Sequence, residues 1–275
     1  MVEGRKNLLI GQLYTGVILA MYVTGHAQNP ERRDPKEIVQ QAVNTELAAN
    51  SNDHSRWLYY EVDRKPRNSV TQWVAETPQG ELRRVLKQNG QEFPADQQRK
   101  KMDSFIRDRS AQAQQKKAGQ NDDQQATELL KLLPDAFIWT SAGSRDGNTS
   151  LHFKPNSKFH PPNREARVFA AMEGDMTVND AQHRIVSLKG RLIRDVKFGG
   201  GLLATLRAGG TFDVERREIG PKRWQITETH VHIDGHTLFF KSISEQEDNI
   251  KSKFVRLPDN VSFQQAEQEV LKQNK

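Results

Sequence analysis

The chain contains no cysteine. That excludes disulfides, thiol nucleophiles and thiolate metal sites, and it removes the residue that carries the lipid of a bacterial lipoprotein. Stability must come from an apolar core instead, and 275 residues are enough chain to bury one. Aromatic residues are scarce at 7%, and the net charge of +6 is modest for this length, so stacking platforms and a dominant basic field are both missing. Basic and acidic residues interleave, as in DVERRE from Asp213 to Glu218. A nucleic-acid binder needs a clustered basic face with aromatics beside it, so nucleic acid is not an expected partner. Weak attraction to anionic lipid headgroups, a peripheral membrane contact, is compatible with this charge. Catalytic signatures are also missing. No serine sits in a G-x-S-x-G elbow. The segment FGGGLLATLRAGG, Phe198 to Gly210, has neither the Gly-Lys-Ser/Thr end of a P-loop nor G-x-G-x-x-G spacing.

Only one apolar run is long, Leu8 to Val23. Arg5 and Lys6 precede it and Gly25-His26-Ala27 follows it. A basic start, an apolar middle and small residues before a cut are the parts of a secretory signal peptide, residues 1–27. The run falls short of the ~20 apolar residues that cross a bilayer, so retention as an anchor is the weaker alternative. The expected location is the periplasm, with a short linker over residues 28–33.

Beyond the leader, Asp34-Pro35-Lys36-Glu37 reads as a helix start, with Ile38, Val39, Ala42, Val43 and Leu47 at helical spacing and an end near Asn50. Period-two segments follow at RWLYYEV (Arg56 to Val62), VTQWVAE (Val70 to Glu76) and ELRRVLK (Glu81 to Lys87), and Asn89-Gly90 signals a hairpin turn. Residues 94–133 are crowded with Gln, Lys, Arg and Asp. They read as a solvated helical insertion: a polar helix, a mobile linker around Ala118-Gly119-Gln120, and a second helix over Asp123 to Leu133 ended by Pro134. Strands resume at Ala136 to Gly143 and Thr149 to Pro155. Two more lie within GDMTVNDAQHRIVSLKGRLIRDVKF, where Val186, Leu188, Leu192 and Val196 share a face and Gly190 marks a bend. The last clear strands are Thr211 to Glu218, Trp224 to Ile233 and Thr237 to Ile243. A C-terminal helix with a Ser262–Gln265 capping box occupies the tail, residues 259–275. The fold class is α+β with a large, curved antiparallel sheet.

Three histidines crowd THVHIDGHTLFF, Thr229 to Phe240. A two-residue turn at Asp234-Gly235 would pair Ile233 with His236 and Val231 with Leu238. His236 would then lie on the opposite face from His230 and His232. Those two would still suit a metal-dependent hydrolase if Glu228, or His152 or His183 from another strand, completed the set. The commoner reading is a pair of histidines on the solvent face of a sheet, in a non-catalytic protein without a metal or other cofactor. In the glycine-rich segment, Leu202, Leu203 and Leu206 form either a mobile apolar flap or, more simply, a plug for the core.

The run FKPNSKFHPPNREARVFAAMEGDMTVND, through HRIVSLKGRLIRDVKFGGGLLATLRAGGTFDVERREIGPKRWQITETHVHIDG, to LFFKSIS resembles the LolA/LolB-like superfamily of lipoprotein carriers and lipid sensors, in a branch of secreted bacterial proteins that is largely uncharacterised. The similarity extends over Asp34 to Pro258, and the insertion departs from a compact carrier. The resemblance implies an incomplete barrel with helices covering its concave side and acyl chains held on that face. It also implies a role of the kind seen in outer-membrane lipoprotein sorting. Trp57, Tyr59, Trp73, Trp139, Phe153, Leu188 and Leu192 are the candidate apolar lining. Partners would be acyl chains of lipids or lipoproteins. A non-catalytic interaction module that binds an envelope protein through the polar helices is the alternative.

Overall fold

The computed structural model describes residues 33–163, 165–198, 204–237 and 246–274. The leader expected at residues 1–27 lies outside them.

Helix α1 (Pro35–Asn52) begins as the sequence predicts. The Asp34 side chain accepts a hydrogen bond from the Lys36 amide and Pro35 occupies the first turn. Strands β1 (Arg56–Lys65), β2 (Asn68–Thr77), β3 (Gly80–Gln88) and β4 (Gln91–Glu92) form a meander. Asn89 and Gly90 both adopt positive φ, 51° and 79°, which is what the β3–β4 turn requires.

The insertion differs from expectation. It is two helices, α2 (Ala95–Arg107) and α3 (Arg109–Ala136), joined at Asp108, whose side chain caps α3 through the Ala111 amide. Helix α3 passes straight through Gly119 and past Pro134, where a linker and a stop were expected. Packing overrides both breakers. Near its start Gln115 bonds the Glu81 backbone twice, amide to Oε1 at 2.7 Å and Nε2 to carbonyl at 3.1 Å. At its end Leu133, Pro134 and Ala136 are buried in the main core. An isolated glycine costs a helix only ~1 kcal/mol, which these anchors outweigh.

A second meander follows: β5 (Phe137–Arg145), β6 (Asn148–Pro155), a 3-10 helix (Glu165–Ala171), β7 (Met172–Asn179) and β8 (Arg184–Leu192). Then come β9 (Val196–Phe198), β10 (Ala204–Leu206), β11 (Thr211–Gly220), β12 (Arg223–His232), β13 (Gly235–Thr237), β14 (Gln246–Leu257) and α4 (Phe263–Lys272). Both capping-box bonds of Ser262 and Gln265 are present in α4.

Among the described residues, eleven strands make one antiparallel sheet that does not close into a barrel, in the order β4-β3-β2-β1-β14-β12-β11-β8-β7-β6-β5. β14 and β12 join the two meanders, because β14 pairs with β1 on one side and β12 on the other. The expected Asp234-Gly235 hairpin does not form. Gly235 to Thr237 pairs instead with β10 in a separate three-stranded sheet, β13-β10-β9. Most of the strand expected over Thr237 to Ile243 lies outside the described residues, while β14, unforeseen, is the longest strand described.

The two faces of the large sheet are covered differently. We call the face under α1 and α3 the inner face. There, Val39, Ala42 and Val43 of α1 and Leu133 of α3 pack with Phe137, Trp139, Leu151, Phe153 and Met176. On the outer face at the β1–β3 end, α2 and α4 pack Met102, Phe263, Ala266 and Val270 onto Leu58, Trp73 and Leu82. Arg84 of β3 secures that corner by donating to the Val270 and Gln273 carbonyls at 2.8 and 2.9 Å, which satisfies the C-terminus of α4.

Candidate functional site

Between the inner face and the C-terminal half of α3 lies a cavity of about 760 Å³. That volume is within the range of small-molecule sites, ~300–1,000 Å³. Ala126, Leu129, Leu130 and Leu133 of α3 form its roof, and Val168 and Phe169 of the 3-10 helix one wall. The part of the insertion expected to be solvated is therefore what covers the cavity.

The floor is built by strand register in three rows. Phe212 of β11 lies opposite Val231 of β12, which lies opposite Glu247 of β14. The next row is Leu188, Val214, Thr229 and Asn249. The third sets Arg216 opposite Ile226, with Lys251 following Asn249 on the inner side of β14. Gly190 lets the first row close up: a Cβ there would lie 2.4 Å from the Phe212 ring, so the ring rests on bare backbone. Leu206 of β10, 3% exposed, and Ile233 seal that end. At the opposite end Ile226 lines the cavity and is 43% exposed, so that end is the more open of the two.

Of the expected lining residues, Phe153 and Leu188 border this cavity, and so does Leu206 from the expected flap. The cavity brings none of the others together. Trp139 and Leu192 are buried in the adjoining core, where the Trp139 indole donates to the Leu133 carbonyl at 3.1 Å. Trp57 and Tyr59 share the inner face but pack with Val74, Ile219 and Phe254 away from the cavity. Trp73 lies under α4 on the outer face. Leu206 is a buried strand residue, which favours the plug over the flap, while Leu202 and Leu203 lie outside the described residues. Val186 is the extra residue of a β-bulge, so Ile185 takes its place on the cavity wall.

Sequence reasoning missed the charged groups. Glu46, on the buried face of α1, accepts two hydrogen bonds from Arg184 at 3.0 and 2.8 Å, one from the Ile185 amide at 2.9 Å, and an ion pair from Arg216 at 2.5 Å. Burial pushes the Glu46 carboxyl up, but the two guanidinium groups outweigh it and hold it below the usual carboxylate range. The signal was a glutamate at helical spacing from Val39, Ala42 and Val43. Further along the inner face, Glu61 accepts from Gln72 at 2.6 Å and Asn249 at 3.0 Å. Burial and the Glu81 carboxylate push Glu76 up to about 7.

The histidines answer to the outer face. His230 and His232 both bond the same Asp248 oxygen, at 2.6 and 3.1 Å. The hydrogen bond to Asp248 raises the His230 pKa. His152 lies on β6, four strands from β12 and so ~19 Å away at ~4.8 Å per strand. Among the described residues no group of three or more His, Cys, Asp or Glu is arranged to hold a metal ion. His230 belongs to a row that crosses seven strands by register: His152, Asp175, Lys189, Asp213, His230, Asp248 and Arg64. Basic groups alternate with carboxylates, which is the favourable cross-strand pattern on a solvated sheet face.

Among the described residues no helix is long and apolar enough to cross a membrane. No protein-family model, no curated protein and no solved structure matches this chain.

Proposed function

We propose that the protein is a non-catalytic, exported carrier or sensor that holds acyl chains of lipids or lipoproteins between α3 and the inner face of its sheet. The observation that carries this reading is the cavity: about 760 Å³, roofed by leucines of an otherwise polar helix and floored by Phe212, Val214, Leu188 and Phe153. The resemblance to LolA/LolB-like proteins supports the same reading, with the open sheet as an incomplete barrel and α1 and α3 as the helices on its concave side. Burying a CH₂ group contributes about 0.8 kcal/mol, so a sixteen-carbon chain offers on the order of 12 kcal/mol gross. Association and ordering costs take back much of that, leaving reversible binding, which suits a carrier. The periplasm remains the proposed location, on the strength of the sequence of residues 1–27.

Solvent extraction of the purified protein followed by mass spectrometry should release lipid, and protein stripped of it should bind a fluorescent acyl probe. Leu188→Trp, which puts an indole into the floor, should abolish probe binding while the far-ultraviolet circular dichroism stays unchanged. A lipid-free extract together with no probe uptake by the stripped protein would sink the reading.

A further inference from the structure

The cavity is chemically polarised along the strands. Its sealed end carries Phe212, Val231, Ile233 and Leu206, with Glu247 at the β14 edge of the same row. Its open end carries two cations, Arg216 and Lys251, on either side of the exposed Ile226. Three carboxylates in or beside this cavity are engaged, while Glu165 lines it from the 3-10 helix. Glu46 is shared between Arg184 and Arg216, two guanidinium groups to one carboxylate. Glu247 pairs with Lys65 at 3.2 Å. Glu61, opposite Lys251 on β1, takes hydrogen bonds from Gln72 and Asn249 and faces Arg83. Lys251 itself has no carboxylate within ion-pair distance among the described residues; its ammonium lies 4.9 Å from the centre of the Tyr59 ring. Arg216 is held at this end by its ion pair with Glu46, and its side chain stays 15% exposed.

From this polarity we propose that the site takes a single-chain amphiphile with an anionic head, a carboxylate or a phosphate monoester. The alkyl tail lies toward Phe212 and Leu206, and the head sits at the open end by Lys251 and Arg216. The inference rests on the acyl-binding reading above and adds to it the charge and orientation of the ligand. Lys251 supplies the charge that no neighbouring carboxylate neutralises by contact. The Arg216 guanidinium, fixed by Glu46, supplies a preformed donor. An uncharged head would leave Lys251 without an acceptor of opposite charge.

The test compares dodecanoate, dodecyl phosphate and dodecanol on lipid-stripped full-length protein by calorimetry, below the concentration at which the probes aggregate. At least one anionic probe should bind about tenfold tighter than the alcohol, the size of one charge-assisted hydrogen bond. Which anion binds tighter assigns the head as carboxylate or phosphate. Lys251→Met should lower that ratio, measured as anionic probe against alcohol in the same variant, and Lys251→Arg should restore it. Equal binding of all three probes by the natural protein overturns the proposal and leaves the acyl-binding reading standing. So does a preference unchanged in Lys251→Met. Failure of every probe to bind overturns both.

Discussion

The two halves of the inner face are made of the same strand type and differ in what covers them. On the β5–β8 side, α1 lies on the sheet and excludes water, and the strands offer Phe137, Trp139, Leu151, Phe153 and Met176 to a dry core. On the β1–β3 side the same face carries Glu61, Gln72, Glu76, Glu81 and Arg83, bonded to one another and to their neighbours, while α2 and α4 pack on the opposite side. The cavity lies where the two meet, so its β8–β11 side is mainly greasy and its β14 side, with Glu247, Asn249 and Lys251, is polar. A single sheet thereby makes an amphipathic container.

Breaking the apolar half should cost most. Phe153, 1% exposed, touches Phe137 and Trp139. Phe153→Ala should lower the unfolding free energy by about 3–5 kcal/mol in urea titrations. Glu46→Ala removes the buried carboxylate that ties α1 to the sheet. Leaving Arg184 buried without its partner should cost about 3 kcal/mol or more. The sign with pH follows from its depressed pKa: the contribution is present above the ordinary 4.5 and is lost as pH falls through the lower folded value, so Glu46→Ala should flatten the acid limb of the stability curve.

The charged half should respond in the opposite sense. Glu76 has a raised pKa, so its contribution is full below 4.5 and fades as pH rises to about 7. Glu76→Gln should keep the low-pH stability and remove the decline over that window, read as melting temperature against pH. The outer face should respond least. His230 is partly exposed and its pKa is raised by Asp248, so its contribution exists at low pH and is lost as pH rises through the folded value. His230→Gln should cost under about 1 kcal/mol at pH 5 and nothing measurable at pH 9. An effect as large as that of Phe153→Ala would mean the outer row has a role beyond solvation.

Local rules made parts of this fold legible. The Asp34-Pro35 cap, the Asn89-Gly90 turn and the Ser262–Gln265 box each depend on residues close in sequence, and each is present. The insertion misled because its breakers, Gly119 and Pro134, are local signals that distant contacts overrule. Strand β14 was invisible because QEDNIKSKFVRL has almost no apolar alternation; charged partners on β1 and β12 hold it instead. The candidate lining was half visible. Large apolar residues announce burial but not which of several clusters receives them, so Phe153 and Leu188 reach the cavity while Trp57 and Trp73 do not.

The sequence by itself determined the strand-rich α+β character, the helix starts and the turns, because those follow from backbone conformation and near-neighbour hydrogen bonds. Only the tertiary structure decided that α3 roofs a cavity, that Glu46 meets Arg184 and Arg216, and that Lys251 stands at its open end. Those facts come from registers between strands far apart in the chain, and such pairings are selected by the packing of the whole sheet.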